Sequence, residues 1–428
     1  MEWNEALHPR RTDGSQRSAD VPGTRPQGPM GAGESVWPGH GSSVVPWEMS
    51  GRRGSREDRM LRNVTASLPP HIGDIQYVAR SSKELDRALR EVALLEETAA
   101  DLMAPLGRFL IRIESVASSK IESVEASADD YARAIGGIRS NPAAVSMVAA
   151  ARAVTRLVDA SDARIATTDI LDAHRLLMED DTSERLYAGR FRDMQNWIGG
   201  SDFSPRGAVY VPPPPAAVVE YMDDLIRFAN RDDIHPVAQA AIVHAQFESI
   251  HPFTDGNGRI GRALLNAVMR RTGVSNRVVV PVASALAADQ DHYFGLLTGY
   301  RTGDVDAIVE DIALCVQASA REAGRTAAVF RELPGEWHES AGARRGSAVR
   351  TLIDNLLENP VITAADAEHI TGVDTVNAYR AMKRLEDAGV VHEVTSRQRN
   401  QVWAATSVLD ELDDLNVRIA TAIRAERG

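Results

Sequence analysis

The sequence has few of the residues that dominate several protein classes. It contains one cysteine, Cys315, among 428 residues. A single thiol cannot form an internal disulfide or a cysteine-based zinc site, so disulfide-stapled scaffolds and cysteine-ligated zinc folds are excluded. Aromatic residues make up only 5% of the chain, which argues against a large, aromatic-rich β-sandwich.

Membrane-spanning runs and a secretion signal are also absent from the sequence. The apolar stretch 278–288 is too short to cross a bilayer, and Pro281 interrupts it. The N-terminus opens with Glu2 and Glu5, and no apolar core follows them. We therefore expect no membrane partner and a cytoplasmic location.

The charge balance limits the classes of partner. The chain has 48 Lys and Arg against 60 Asp and Glu, a net charge of −12. This excess of acid excludes a mainly electrostatic nucleic-acid binder, although it leaves room for one basic patch.

Composition and periodicity divide the chain into parts and predict a mainly α fold. Up to residue 65 the sequence is rich in Gly, Pro, Ser and Arg, which predicts disorder. The predicted parts are a disordered segment 1–65, a helical domain 66–332, a linker 333–345, a winged helix-turn-helix 346–406 and a C-terminal helix 407–428. Within the helical domain, glycines near 195–212 predict a small β-hairpin.

The stretch from His251 to Arg262 has the backbone pattern of a phosphate cradle. It runs His-Pro-Phe-Thr-Asp-Gly-Asn-Gly-Arg-Ile-Gly-Arg. Pro252 ends the preceding helix, while Gly256 and Gly258 allow a tight bend that exposes N–H groups. A second helix starts at this bend, and a helix N-terminus favours anions.

The side chains of the same stretch supply the remaining parts. His251 can take a proton from an attacking hydroxyl, and Asp255 is a hard oxygen ligand suited to Mg²⁺. Asn257 can donate to a phosphoryl oxygen, and Arg259 and Arg262 add positive charge. Together these groups predict phosphoryl or nucleotidyl transfer. A zinc site on His244, Glu248 and His251 is disfavoured, since His-Glu-x-x-His spacing is absent.

The same residues resemble the signature of the Fic family, H-x-F-x-[D/E]-G-N-G-R-x-x-R. The segments Ala188–Gly200 and Tyr210–Pro215 resemble the chain entering and leaving the flap of that family. The resemblance covers about residues 67–331 and implies a Fic-type helical core with a β-hairpin flap. It also implies transfer of AMP from ATP to a Tyr, Thr or Ser hydroxyl of a target protein, held at the flap as an added strand.

The resemblance also implies roles for individual residues. His251 deprotonates the target hydroxyl, Asp255 holds Mg²⁺, and Arg262 reaches the γ-phosphate. The remaining nucleotide contacts fall to Gly256, Asn257, Gly258, Arg259 and Tyr293.

A second stretch, Ser118-Ser-Lys-Ile-Glu122-Ser, resembles the inhibitory motif [S/T]-x-x-x-E-[G/N] of the family. Ser118 and Glu122 match it, and Ser123 stands where the motif has Gly or Asn. The implied role is a helix near 115–127 whose Glu122 pairs with Arg262 and repels the γ-phosphate. In some relatives the same Glu helps remove AMP, so a hydrolytic activity stays open.

Two function classes stay open at this point. The first is an AMP-transferring enzyme that the winged helix positions or regulates. The second is a DNA-binding regulator with a nucleotide-sensing core, in which Arg380, Lys383 and Arg384 of a recognition helix and Arg397 and Arg399 of the wing contact phosphates. The target protein, the DNA site and a homo-oligomer are not specified by the sequence.

Overall fold

The computed structural model describes residues 37–48, 53–80, 82–395, 397 and 401–427. The prediction of a mainly α fold is confirmed. The helices of the described residues are α1 (Arg56–Met60), α2 (Ser82–Thr98), α3 (Met103–Ile121), α4 (Ala128–Ile135), α5 (Pro142–Asp159), α6 (Thr167–Met178), α7 (Val218–Ala229), α8 (Pro236–Ile250), α9 (Asn257–Arg271), α10 (Val282–Ala287), α11 (Gln290–Arg301), α12 (Val305–Ser340), α13 (Ala348–Leu356), α14 (Ala364–Thr371), α15 (Thr375–Asp387) and α16 (Thr406–Arg427). The strands are β1 (Gly41–Pro46), β2 (Asn63–Leu68), β3 (Val361–Thr363), β4 (Val391–Glu393) and β5 (Val402–Ala405).

Helix α8 forms the centre of the core. Pro236 occupies its first turn, where the missing N–H costs nothing, and every residue from Val237 to Ile250 is buried. Helices α7, α9 and α12 pack around it. Helix α8 is therefore buried on all sides, and the surrounding helices hold both of its ends.

The N-terminal residues differ from the prediction of disorder over 1–65. Strands β1 and β2 form an antiparallel pair that spans Gly41 to Leu68. Before this pair, Trp37 is only 4% exposed, and its ring lies against Tyr77 and Tyr300. Burial of this large ring offsets the chain entropy that the composition alone predicts to dominate. Residues 1–36 and 49–52 lie outside the described part of the chain.

The flap predicted over 195–212 contains a single antiparallel bridge, between Ile198 and Tyr210. It is extended by the N-terminal pair, since the Ser67 N–H of β2 donates to the Val211 carbonyl at 2.8 Å. Trp197 packs in a small apolar cluster against Val64, Ala66 and Val211. The flap is therefore supported by the N-terminal strands and not by strands of its own.

The predicted linker 333–345 is wrong for most of its length. Helix α12 continues through Pro334 as far as Ser340. A proline inside a helix removes one hydrogen bond, but Leu333 and Trp337 are buried at 5% and 3% exposure on either side of it. Burial of these two side chains outweighs the local cost of the proline.

The C-terminal module contains α13 to α15 and a sheet of order β3-β5-β4. The two-stranded wing of the prediction corresponds to β4 and β5, and β3 adds a third strand. The final helix, α16, returns to the core and packs on α12, α10 and α3. The assignment of this module as a winged helix-turn-helix stays a prediction.

All three basic side chains of α15 have partners within the protein. Arg380 donates to the side-chain oxygen of Asn377 at 3.3 Å. Arg384 donates to the carbonyls of Ala341 and Gly342, and Lys383 pairs with Glu386. Arg397 of the wing is exposed, whereas Arg399 lies outside the described residues. These contacts reduce the positive charge that α15 offers to a nucleic acid. In the described ranges, no helix combines the length and apolar character needed to span a membrane.

Candidate active site

The candidate site forms where α8 ends and α9 begins. His251 caps α8 in the left-handed region, with φ +49°, and Gly256 starts α9 with φ +77°. A histidine in this region is strained, and the surrounding contacts hold it there. The bend predicted from the glycines is therefore present, and it leads directly into the N-terminus of α9.

Two asparagines hold the imidazole of His251. Its Nδ1 lies 2.9 Å from the Asn196 amide nitrogen and 3.2 Å from that of Asn257. Both amide groups also donate to the carbonyl of Phe253, at 2.8 and 3.0 Å. The ring orientation is thus fixed jointly with the loop, as a positioned base requires.

Burial keeps His251 neutral. The side chain is 5% exposed. Burial, together with the positive charges of Arg192 and Arg301, lowers the pKa of His251 to about 3. At neutral pH the ring is therefore neutral, and its unprotonated nitrogen is Nδ1, which accepts from the two amides.

Asn257 connects the loop with the imidazole of His251. Besides its contact with His251, its side-chain oxygen accepts a 2.8 Å hydrogen bond from the Phe253 N–H, and the residue is fully buried. Its amide therefore holds the loop and the imidazole. The expected contact of Asn257 with a phosphoryl oxygen stays a prediction.

Asp255 and Arg259 lie side by side. The Asp255 carboxylate accepts hydrogen bonds from the Gly256 N–H and from Arg259, the latter at 3.3 Å. Arg259 also donates to Ser146 of α5 at 2.8 Å. The Asp255 side chain keeps 30% exposure beside the bend. One accessible carboxylate next to a phosphate cradle fits Mg²⁺, which binds through one or two carboxylates, phosphates and waters.

The most distinctive contact joins α9 to the end of α3. Arg262, with its side chain 2% exposed, donates to the Ser118 hydroxyl at 2.8 Å, to the Ser118 carbonyl at 2.9 Å and to Glu122 at 2.7 Å. Burial alone would lower the pKa of Arg262, but the charge of Glu122 raises it above its ordinary value. Ser118 and Glu122, four positions apart in the sequence, therefore both accept hydrogen bonds from the guanidinium of Arg262.

Glu122 also lies over the N-terminus of α9. A Cβ added at Gly258 would collide with the Glu122 carboxylate and lie 3.0 Å from the Arg262 guanidinium. The carboxylate therefore occupies space directly above the first turn of α9, where the dipole favours an anion.

The helix around Glu122 differs from the prediction of a helix near 115–127. Helix α3 ends at Ile121, and Glu122 is its C-cap. Ser123 follows with φ +58°. That conformation explains why the related motif has Gly or Asn there, since both residues enter this region at low cost. Ser123 adopts it with two backbone hydrogen bonds nearby, from the N–H groups of Ser123 and Val124 to Lys120 and Ser119.

Tyr293 lies in the interior of the protein. It is 1% exposed, and its hydroxyl lies 2.8 Å from His244 Nε2. The expected contact of Tyr293 with the nucleotide stays a prediction. Next to it, Glu248 has one carboxylate oxygen without a hydrogen-bond partner among the described residues. Burial raises the pKa of Glu248 to about 7, and Glu122 adds to this while Arg262 opposes it.

Sequence reasoning missed three residues that shape the site. Besides Asn196, Arg192 donates to the His251 carbonyl at 2.8 Å and to the Pro213 carbonyl at 2.6 Å. The His174 ring stacks on Phe253 with centroids 3.7 Å apart, and its Nε2 lies 3.1 Å from the Asp255 carbonyl. These residues precede the signature by 55 or more positions, and no local pattern links them to it.

Comparison with known proteins agrees with this geometry. Residues 164–269 match the Fic/DOC family. The chain is 31% identical over 186 residues to protein adenylyltransferase fic-1 of Caenorhabditis elegans, covering 42% of this chain and 33% of that protein. It is 32% identical over 156 residues to protein adenylyltransferase Fic of Drosophila erecta, covering 36% and 28%. The chain spans about a third of the length of these curated relatives.

A solved structure shares the fold. The crystal structure of a Fic family protein from Desulfovibrio desulfuricans superposes with a TM-score of 0.50 at 21% identity, covering 77% of this chain and 98% of the other. The family match contains the bend from His251 to Arg262 but neither the Ser118–Glu122 segment nor the C-terminal module. Residues 164–269 therefore match the Fic/DOC family, and the chain shares its fold with a solved Fic family protein.

Proposed function

We propose that the protein is an adenylyltransferase that moves AMP from ATP to a hydroxyl side chain of a target protein, and that Glu122 restrains this activity. The observation that carries the proposal is the arrangement around one bend. A neutral, fixed imidazole lies at the end of α8, and an anion-binding helix terminus with Arg262 lies at the start of α9. The adenylyltransferase names of the curated relatives point to the same reaction.

The proposed reaction uses these groups in a balanced step. The target hydroxyl oxygen attacks the α-phosphorus and forms a new P–O bond, while the bond to the β-phosphate oxygen breaks and pyrophosphate leaves. The hydroxyl proton passes to Nδ1 of His251, the ring nitrogen that is unprotonated because it accepts from the amides, and the hydroxyl takes the place of one amide there. Asn196 and Asn257 keep the ring in place for this transfer.

In the proposed complex, positive groups of α9 balance the negative charge of the phosphates. The N–H groups at the start of α9 and the guanidinium of Arg262 face the space that an anion would fill. Asp255 would hold Mg²⁺, which neutralises phosphate charge and helps pyrophosphate to leave.

The proposed restraint follows from charge. The Glu122 carboxylate engages the Arg262 guanidinium and lies against Gly258, so a terminal phosphate would meet a like charge and an occupied arginine. ATP then binds weakly or in an unproductive pose. Removal of this carboxylate is expected to raise AMP transfer by about tenfold or more, equivalent to 1.4 kcal/mol or more.

The test compares the full chain with two variants, Glu122→Gly and Glu122→Gly/His251→Ala. Each is incubated with Mg²⁺, a cell lysate and ATP labelled at either the α- or the γ-phosphate. The proposal expects protein labelling from α-labelled ATP that rises in the first variant and disappears in the second. Labelling from γ-labelled ATP, or labelling that survives loss of His251, would refute it.

A further inference from the structure

A groove of about 560 Å³ lies away from the candidate active site, between α3, α4, α5 and α6. None of the residues assigned above to the bend or to the Arg262 contacts lines it. Its volume falls within the range of small-molecule sites, which is roughly 300–1,000 Å³.

One wall of the groove is apolar. Ile111, Tyr131, Ile135, Val148 and Leu176 line it, contributed by four different helices. All except Tyr131 are partly exposed, so part of their apolar surface is open to the groove. This wall would stabilise an apolar ligand body by removing both surfaces from water.

Four arginines line the same groove, and three of them already have carboxylate partners. The pairs are Arg108 with Glu358 at 2.8 Å, Arg152 with Glu179 at 2.9 Å and Arg156 with Asp172 at 2.9 Å. The fourth, Arg112, is partly buried and has no hydrogen bond or ion pair with any described residue. Asp159 lines the groove as well and is the only carboxylate among its lining residues.

The surroundings of Arg112 disfavour its charge. Burial lowers the pKa of Arg112; Tyr131 opposes this shift, and the neighbouring Arg108 adds a smaller effect in the same direction as burial. An arginine nevertheless stays protonated at neutral pH. A guanidinium that is partly desolvated without a counter-charge costs free energy, and an anionic group placed beside it would recover that cost.

From these observations we infer that the groove is a binding site for a small amphipathic anion, a carboxylate with an acyl tail of medium length. The head group would accept hydrogen bonds from Arg112, and the tail would lie along the apolar wall. Arg112 belongs to α3, the helix that also supplies Ser118 to Arg262, so the ligand would contact that helix on another face.

The experiment uses the full chain with 8-anilino-1-naphthalenesulfonate as a fluorescent probe and decanoate as competitor. Wild type is expected to bind the probe and release it on addition of decanoate, but much less on addition of decanol. Arg112→Met should weaken the decanoate-sensitive binding by about tenfold, the loss expected for one charge-assisted hydrogen bond. Arg87→Met, on the surface of α2 beside Glu84, is the matched control and should bind as wild type.

A second variant keeps the proposal testable if Arg112→Met folds poorly. Ala151→Trp fills the groove from α5 and leaves Arg112 in place, so it should abolish decanoate-sensitive binding. Equal displacement by decanol and decanoate would overturn the proposal. So would wild-type affinity in both the Arg112 and the Ala151 variants. AMP transfer is not measured here, so the result is independent of the proposed function.

Discussion

Glu122 and Arg262, 140 positions apart in sequence, form a 2.7 Å charge-assisted hydrogen bond at the N-terminus of α9. The arginine is almost fully buried, whereas the glutamate side chain keeps 25% exposure. Because the Glu122 side chain is partly exposed, an anion that arrives from the solvent can displace its carboxylate from Arg262. The buried Arg262 side chain stays in place during this exchange.

The first prediction concerns the cost of removing Glu122. Glu122→Gly should lower the stability of the nucleotide-free protein by roughly 2–4 kcal/mol, because it leaves the buried Arg262 charge without its carboxylate. Mg²⁺ and ATP should recover much of this loss by supplying phosphate oxygens. Thermal melts with and without nucleotide measure both effects. A variant that melts like wild type and shows no larger nucleotide shift would contradict this account.

The second prediction concerns Asn196 as a positioning residue. Asn196→Ala should lower kcat for AMP transfer by about 10–100-fold in the Glu122→Gly background, with KM for ATP nearly unchanged, because the imidazole loses one of its two amide supports. Gln195→Ala is the matched control, since the Gln195 amide donates to Asn196 and Pro212 carbonyls and does not contact His251. A rise in KM with unchanged kcat would show instead that Asn196 serves nucleotide binding.

The contacts of Asn196 and Arg192 also show where sequence reasoning stops. The glycine bend and the helix termini could be predicted because they follow from local backbone rules. The Ser118–Glu122 contact with Arg262 could be predicted only through a family resemblance. Asn196 and Arg192 could not be found, because their roles arise from the packing of a distant segment against the bend.

The prediction of a linker over 333–345 was wrong for a related reason. Pro334 and Gly335 are local helix breakers, and a local rule ends the helix there. The structure continues α12 because Leu333 and Trp337 are buried against other elements. Tertiary burial of this kind is invisible to a short sequence window and outweighs propensities of about 1–3 kcal/mol.

The third prediction separates backbone strain from packing at Gly256. Gly256→Ala should be destabilising by about 2–4 kcal/mol, because φ is +77° and the new Cβ would lie 2.9 Å from Leu177 and 3.2 Å from Met178. Gly273→Ala is the control, with φ +75° and nothing within 4 Å of the added Cβ. Urea unfolding should show a cost of only about 1 kcal/mol there. Equal losses in the two variants would mean that the contacts with α6 add nothing.

The fourth prediction follows from Glu248. Burial raises its pKa from 4.5 to about 7, so between these values the folded protein keeps a proton that the unfolded chain has released. Its contribution to stability is therefore complete below pH 4.5 and is lost as the pH rises towards 7. Glu248→Gln carries no such titration, so its stability relative to wild type should increase by about 1–3 kcal/mol between pH 5 and pH 7.5.

Denaturant unfolding of Glu248→Gln and wild type at the two pH values measures this difference, with the exposed Glu336→Gln as control. A stability difference that does not change with pH would mean that Glu248 is ionised throughout, in which case its carboxylate would act as a permanent second partner for Arg262.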